Sequence, residues 1–97
     1  MKKSIKDFDL EDRPRERLIS KGADSLSDEE LLAIIIGTGT REKNVVELSR
    51  EILQTFSYES LSDIEVSELT KIKGIKSAKA SSIVASLRFG QRIAQKT

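Results

Sequence analysis

Cysteine and histidine are both absent from this chain of 97 residues. With them go disulfides, thiolate and imidazole metal sites, cysteine nucleophiles and any Ser-His-Asp arrangement, so most familiar enzyme chemistry is excluded at once. Long hydrophobic runs are missing too. The longest, Leu31 to Ile36, is far too short to cross a bilayer, and the N-terminus MKKSIKDFDL lacks the apolar stretch of a signal peptide. A soluble, cytosolic chain with no membrane partner, no metal and no cofactor is the expectation. The apolar fraction of 37% is low, yet it is rich in Leu, Ile and Val and the charges nearly cancel, with a net value of +1. That is not the pattern of disorder. The length allows one modest core and not two.

The near-zero net charge conceals a division. From Lys71 to Thr97 there are seven basic residues (Lys71, Lys73, Lys76, Lys79, Arg88, Arg92, Lys96) and no acidic one. From Gly22 to Glu68, eleven acids face only Arg41, Lys43 and Arg50. The last quarter is therefore the natural face for an anionic partner, unless its charges only solvate a helix lying opposite an acidic neighbour.

The pattern is all-α, a compact bundle of about five short helices. Residues 1–11, with isolated Ile5, Phe8 and Leu10, carry no period and read as a flexible arm. Pro14 opens a short helix to Ser20, anchored by Leu18 and Ile19 and closed by Gly22. Ser27-Asp28-Glu29-Glu30 has the spacing of a capping box and starts the next helix. Its apolar run would also suit a buried strand, but the cap and the terminal Gly37 decide for a helix surrounded by others. Val45, Leu48, Ile52, Leu53 and Phe56 make one apolar stripe on a helix from Asn44 to Phe56. A turn or short helix follows around Leu61, then about two helical turns from Val66 to Lys73, stopped by Gly74. A last helix from Ser77 to Gln95 puts Ala80, Ile83, Val84, Leu87 and Ala94 on its core face. Phe89 and Ile93 fall on a separate stripe, which either the N-terminal arm covers or a partner docks against.

The sharpest local feature is Ile72-Lys73-Gly74-Ile75-Lys76-Ser77-Ala78-Lys79-Ala80. A helix stops at glycine, Ile75 tucks inward, and a new helix begins with small residues. The unpaired N–H groups of that helix's first turn and its dipole suit a phosphate oxygen, and Lys73, Lys76 and Lys79 surround them. Lys73, Gly74, Ile75, Lys76, Ser77 and Lys79 are thus candidate DNA-contacting residues. No side chain here is placed to read base edges, so binding would follow the backbone whatever the base sequence.

The segment resembles the helix-hairpin-helix motif of DNA repair and recombination proteins, matched at Ile72, Gly74, Ile75 and Ala80. Lys76 stands where the motif has its second glycine, adding charge but also a side chain where bare backbone would meet the phosphate. Gly37, Thr38, Gly39 and Thr40 look like a second, degenerate copy, so that tandem hairpins could contact both strands across a minor groove. A plain interhelical turn is the other reading of Gly37 to Thr40.

Along most of its length the chain resembles the N-terminal domain of the bacterial RadC family, also designated UPF0758 and long labelled DNA repair proteins. The resemblance rests on four blocks in order: Asp12-Arg13-Pro14-Arg15-Glu16-Arg17-Leu18; Gly22-Ala23 with Leu26-Ser27-Asp28-Glu29-Glu30-Leu31-Leu32; Gly37-Thr38-Gly39-Thr40; and Ile72-Lys73-Gly74-Ile75 with Ala78-Lys79-Ala80. It implies a helix-hairpin-helix domain over residues 12–97. It also implies a downstream metalloprotease-like domain of the JAMM type as partner, whose zinc-binding histidines this chain lacks. Arg13, Arg15 and Arg17 could form local ion pairs with Asp12 and Glu16, or contact nucleic acid or the downstream domain. Glu29, Glu30 and Asp63 show no metal or acid/base spacing, so no catalytic residue is assigned and a non-enzymatic role is expected.

Overall fold

The computed structural model describes residues 13–97, so the expected arm, with Ile5, Phe8 and Leu10, lies outside the described residues. Those described form six α-helices joined by turns and one 3-10 turn, with no strand among them. The all-α expectation holds; the number of helices is one more than anticipated, and the last of them is long.

Helix α1, Pro14–Lys21, begins with proline where the first amides need no partner, and ends where Gly22 at φ +88° donates its N–H to Leu18 O. Its expected anchors are weaker than anticipated. Leu18 is half-buried and Ile19 points to solvent, because α1 buries no residue completely. A 3-10 turn, Ala23–Ser25, then carries the chain to buried Leu26.

Helix α2, Asp28–Ile36, starts with the anticipated capping box: Glu30 N–H donates to Ser27 Oγ at 3.2 Å, and Ser27 N–H donates to Glu30 Oε1 at 2.9 Å. Leu32, Ala33 and Ile36 are buried, but Ile35 is exposed, so neighbours cover this helix on most sides and not on all. Its main partner is α3, Val45–Thr55, whose Leu48 and Ile52 are wholly buried. Ser49 is buried beside them without penalty because its hydroxyl donates to Val45 O at 2.9 Å. Ser57 caps the one-turn helix α4, Tyr58–Leu61, which drops Leu61 into the core.

The helix expected from Val66 to Lys73 is cut short. Helix α5 is Val66–Leu69, and beyond it the N–H groups of Lys71 and Ile72 reach back three residues, to Glu68 O and Leu69 O, rather than four. The tighter winding stacks Ile72 over Leu69 in the core, and Ile75, beyond the glycine, is buried with them. Gly74, at φ +96°, completes the reversal.

Helix α6, Ser77–Lys96, spans 20 residues. It buries Ala80 and Ile83 and half-buries Val84 and Leu87. Ala94, expected on the core face, is exposed, because the helix runs past the core that its first three turns help to build. Leu32, Ile36, Leu48, Ile52, Leu61, Ile64, Leu69, Ile72, Ile75, Ala80 and Ile83 form one apolar cluster. At roughly 1.5–3 kcal/mol for each large side chain buried, this single cluster dominates folding.

Candidate nucleic-acid interface

The two glycine-bearing loops, 38–44 and 70–76, meet. A Cβ placed on Gly74 would lie 2.7 Å from Thr40 Cγ2 and 3.6 Å from Leu48 Cδ1, so the second loop rests its bare backbone on the first. The first loop is closed on itself. Thr40 N–H donates to Lys43 O at 2.8 Å, and Thr40 Oγ1 accepts from the N–H groups of Glu42 and Lys43 at 3.2 and 3.1 Å. Gly39 is required for this closure, since a Cβ there would fall 2.4 Å from Lys43 O.

The helices that follow the two loops begin differently. Asn44 caps α3: Glu47 N–H donates to Asn44 Oδ1 at 2.8 Å, and Asn44 N–H donates to Glu47 Oε1 at 2.9 Å. Asn44-Val45-Val46-Glu47 carries the capping-box spacing that signals this in sequence, beside the apolar stripe that marks the helix itself. The Asn44 and Glu47 amides are thereby engaged and the end bears a carboxylate. Helix α6, by contrast, has Lys76 at its N-cap and no side-chain cap. Lys73, Lys76 and Ser77 are exposed around that end and Lys79 is half-buried one turn on. Ile75 is only 1% exposed, so it supports the turn from within and, contrary to expectation, offers a ligand almost no surface.

Of the other anticipated positions, Gly37, Thr38 and Thr40 are exposed and Gly39 is half-buried. With α1 and the start of α3 they line an open cleft of 810 Å³, edged by Arg13 and Arg15. Phe89 and Ile93 are exposed on α6, at 68% and 49%.

Two further residues shape the electrostatics of this side of the molecule. Glu42 reaches across from the first loop, placing Oε1 3.1 Å from Lys73 Nζ. Arg88, counted above among the basic residues of the last quarter, turns inward: Nη2 donates to Ile64 O at 2.7 Å, and the guanidinium lies 3.5 Å from Glu65 Oε2. Gln91 donates to Ser62 O beside it. Arg88 therefore clamps the turn between α4 and α5 and is not part of the lysine cluster. Elsewhere, Arg17 pairs with Glu30, and the Ser27 backbone N–H, followed by Arg17, holds the Glu30 carboxyl below its ordinary range. A hydrogen bond to Asp28 pushes the Tyr58 phenol up. Among the described residues no group of Asp and Glu side chains could hold a metal ion, and no helix is long and apolar enough to cross a membrane.

Comparison with known proteins bears on the whole chain. Residues 5–81 match the family model described as UPF0758 N-terminal. A UPF0758 protein of Pelodictyon phaeoclathratiforme is 49% identical over 89 residues, which is 92% of this chain and 40% of that protein. UPF0758 proteins of Bacillus licheniformis and Flavobacterium johnsoniae are each 50% identical over 90 residues, 92% of this chain and 40% and 39% of theirs. No solved structure matches. The chain spans about 40% of the length of these relatives, and its match to the family model and its identity to them place it in the UPF0758 N-terminal family.

Proposed function

We propose that this domain is a non-enzymatic module that binds the nucleic-acid backbone, DNA foremost, without base specificity. The observation that carries the reading is the N-terminus of α6, left without a side-chain cap, with Lys76 at the cap position and Lys73 and Lys79 three residues to either side of it. Unpaired amides, the helix dipole and three cations together favour a phosphate oxygen. Contact to the α3 end would be weaker, because the Asn44 cap takes the Glu47 amide and the Glu47 carboxylate sits at that end and repels an anion; the helix-hairpin-helix resemblance is thus better supported at Gly74 than at Gly37 to Thr40. Three phosphates engaged predict a slope of log affinity against log salt of roughly −3. Fluorescence anisotropy of a labelled duplex, titrated at low and moderate salt, tests this. Salt-sensitive binding lost in Lys76→Glu is the expected result, and unchanged binding by that variant refutes the hairpin site.

The exposure of Phe89 and Ile93 favours a second reading. On it, the projecting half of α6 docks the remainder of the longer relatives, the metalloprotease-like domain that the RadC resemblance implies, and the interaction shows little salt dependence.

A further inference from the structure

Glu42 and Lys73 lie 31 residues apart in sequence, yet Lys73 Nζ sits 3.1 Å from Glu42 Oε1 and 3.3 Å from Oε2. The carboxylate thus presents two oxygens to the ammonium, as a phosphate would. Its position follows from the loop that bears it. The Glu42 backbone N–H is held by Thr40 Oγ1, and the methyl of the same Thr40 packs on Gly74, one residue from Lys73. The first loop therefore delivers an acid to the side of the second loop where the lysines gather. Both side chains stay open to water, at 84% for Lys73 and 67% for Glu42, so the pair is weak enough to be exchanged for another anion.

We propose that Glu42 is an intramolecular competitor for the phosphate at Lys73, a built-in contact that any backbone phosphate must displace. The proposal rests on the reading that the α6 N-terminus takes phosphates, and it adds a selectivity to it. A ligand with several linked phosphates can hold Lys76 and Lys79 while it displaces Glu42. A lone phosphate at Lys73 has no such support and meets the carboxylate unaided. The favoured ligand is accordingly a polyanionic strand, and isolated phosphate groups are disfavoured.

The test is a double-mutant cycle on the full chain, with anisotropy of a labelled duplex at low salt and helical content followed by circular dichroism. Glu42→Gln is expected to tighten binding about two- to fivefold, the span of an exposed ion pair, and to leave helical content unchanged. In a Lys73→Gln background the same change is expected to have no effect. Inorganic phosphate, added as competitor, should show a lower inhibition constant, corrected for the tighter duplex binding, with Glu42→Gln than with the unaltered chain. Unaltered affinity in both Glu42→Gln and Glu42→Ala would overturn the proposal while leaving the phosphate site standing. So would an equal gain in the Lys73→Gln background, because Glu42 would then act by charge at a distance. Loss of helical content in both Glu42 variants would make the residue structural and overturn it as well. If neither the unaltered chain nor Glu42→Gln binds duplex, the phosphate reading itself fails and the proposal with it.

Discussion

The methyl carbon of Thr40 lies 2.7 Å from the point where a Cβ on Gly74 would stand. The contact joins two loops far apart in sequence, and it sets where Glu42 and the α6 lysines lie relative to each other. Gly74 is constrained twice, by this approach and by its φ of +96°.

Gly74→Ala should therefore destabilise the domain by roughly 1–3 kcal/mol, the range for a non-glycine residue in left-handed backbone with an added clash. Thr40→Ser removes the methyl but keeps the hydroxyl that accepts from Glu42 and Lys43. Combined with Gly74→Ala, it should recover the steric part of the loss and leave the backbone strain. Urea unfolding of the two single variants and the pair checks this; strictly additive losses would mean that the two residues do not press on each other.

Glu30 supplies a pH dependence. Its carboxyl accepts from the Ser27 N–H and pairs with Arg17, and both hold it below the ordinary value of 4.5. A folded-state value below the unfolded one adds stability that is fully present above the unfolded value and lost as pH falls through the folded one. The difference in unfolding midpoint between the unaltered chain and Glu30→Gln should be constant from neutrality down to about pH 5 and shrink as acid is added below that. A difference independent of pH down to 3 would show that the charge of Glu30 contributes nothing.

Arg88 separates structural from binding cations. Its guanidinium donates to Ile64 O, beside a side chain only 1% exposed, and Arg88→Ala strands that carbonyl. A loss of about 1–3 kcal/mol in stability is expected, the cost of an unsatisfied buried group. The salt slope of duplex binding should not change, because Arg88 lies with the α4–α5 turn and not with Lys73, Lys76 and Lys79. A slope shallower by about one would place a phosphate on Arg88 after all.

The contrast between Ser27 and Arg88 shows which features were legible in sequence. The Ser27–Glu30 cap and the apolar stripe of α3 are written in residues three and four apart, so periodicity finds them. The reversal at Gly74 is likewise local. The early end of α5 is not, because it depends on Ile72 and Ile75 both finding the core, a tertiary demand that overrides a helical pattern. Arg88 looks like any basic residue on a helix until the turn 24 residues earlier is seen beneath it. Glu42 and Lys73 show no joint pattern at all, since it is the meeting of the two loops that pairs them. The candidate site was thus readable as a set of lysines at a helix start, and its acidic partner was not.

Phe89 offers the cleanest division between core and contact surface. A side chain 68% exposed adds little to the fold, so Phe89→Ser should leave helical content intact and shift stability by no more than about 0.5 kcal/mol. It should nonetheless weaken association with the remaining part of a full-length relative supplied as a separate chain, measured by calorimetry. Because the contact would be apolar, raising the salt concentration should barely change it, whereas duplex binding through Lys76 should fall steeply. The two surfaces would then be independent: Phe89→Ser with normal duplex binding, and Lys76→Glu with normal docking. Docking that survives Phe89→Ser and an Ile93→Ser variant as well would remove this stripe from the interface and leave the α6 N-terminus as the working surface of the domain.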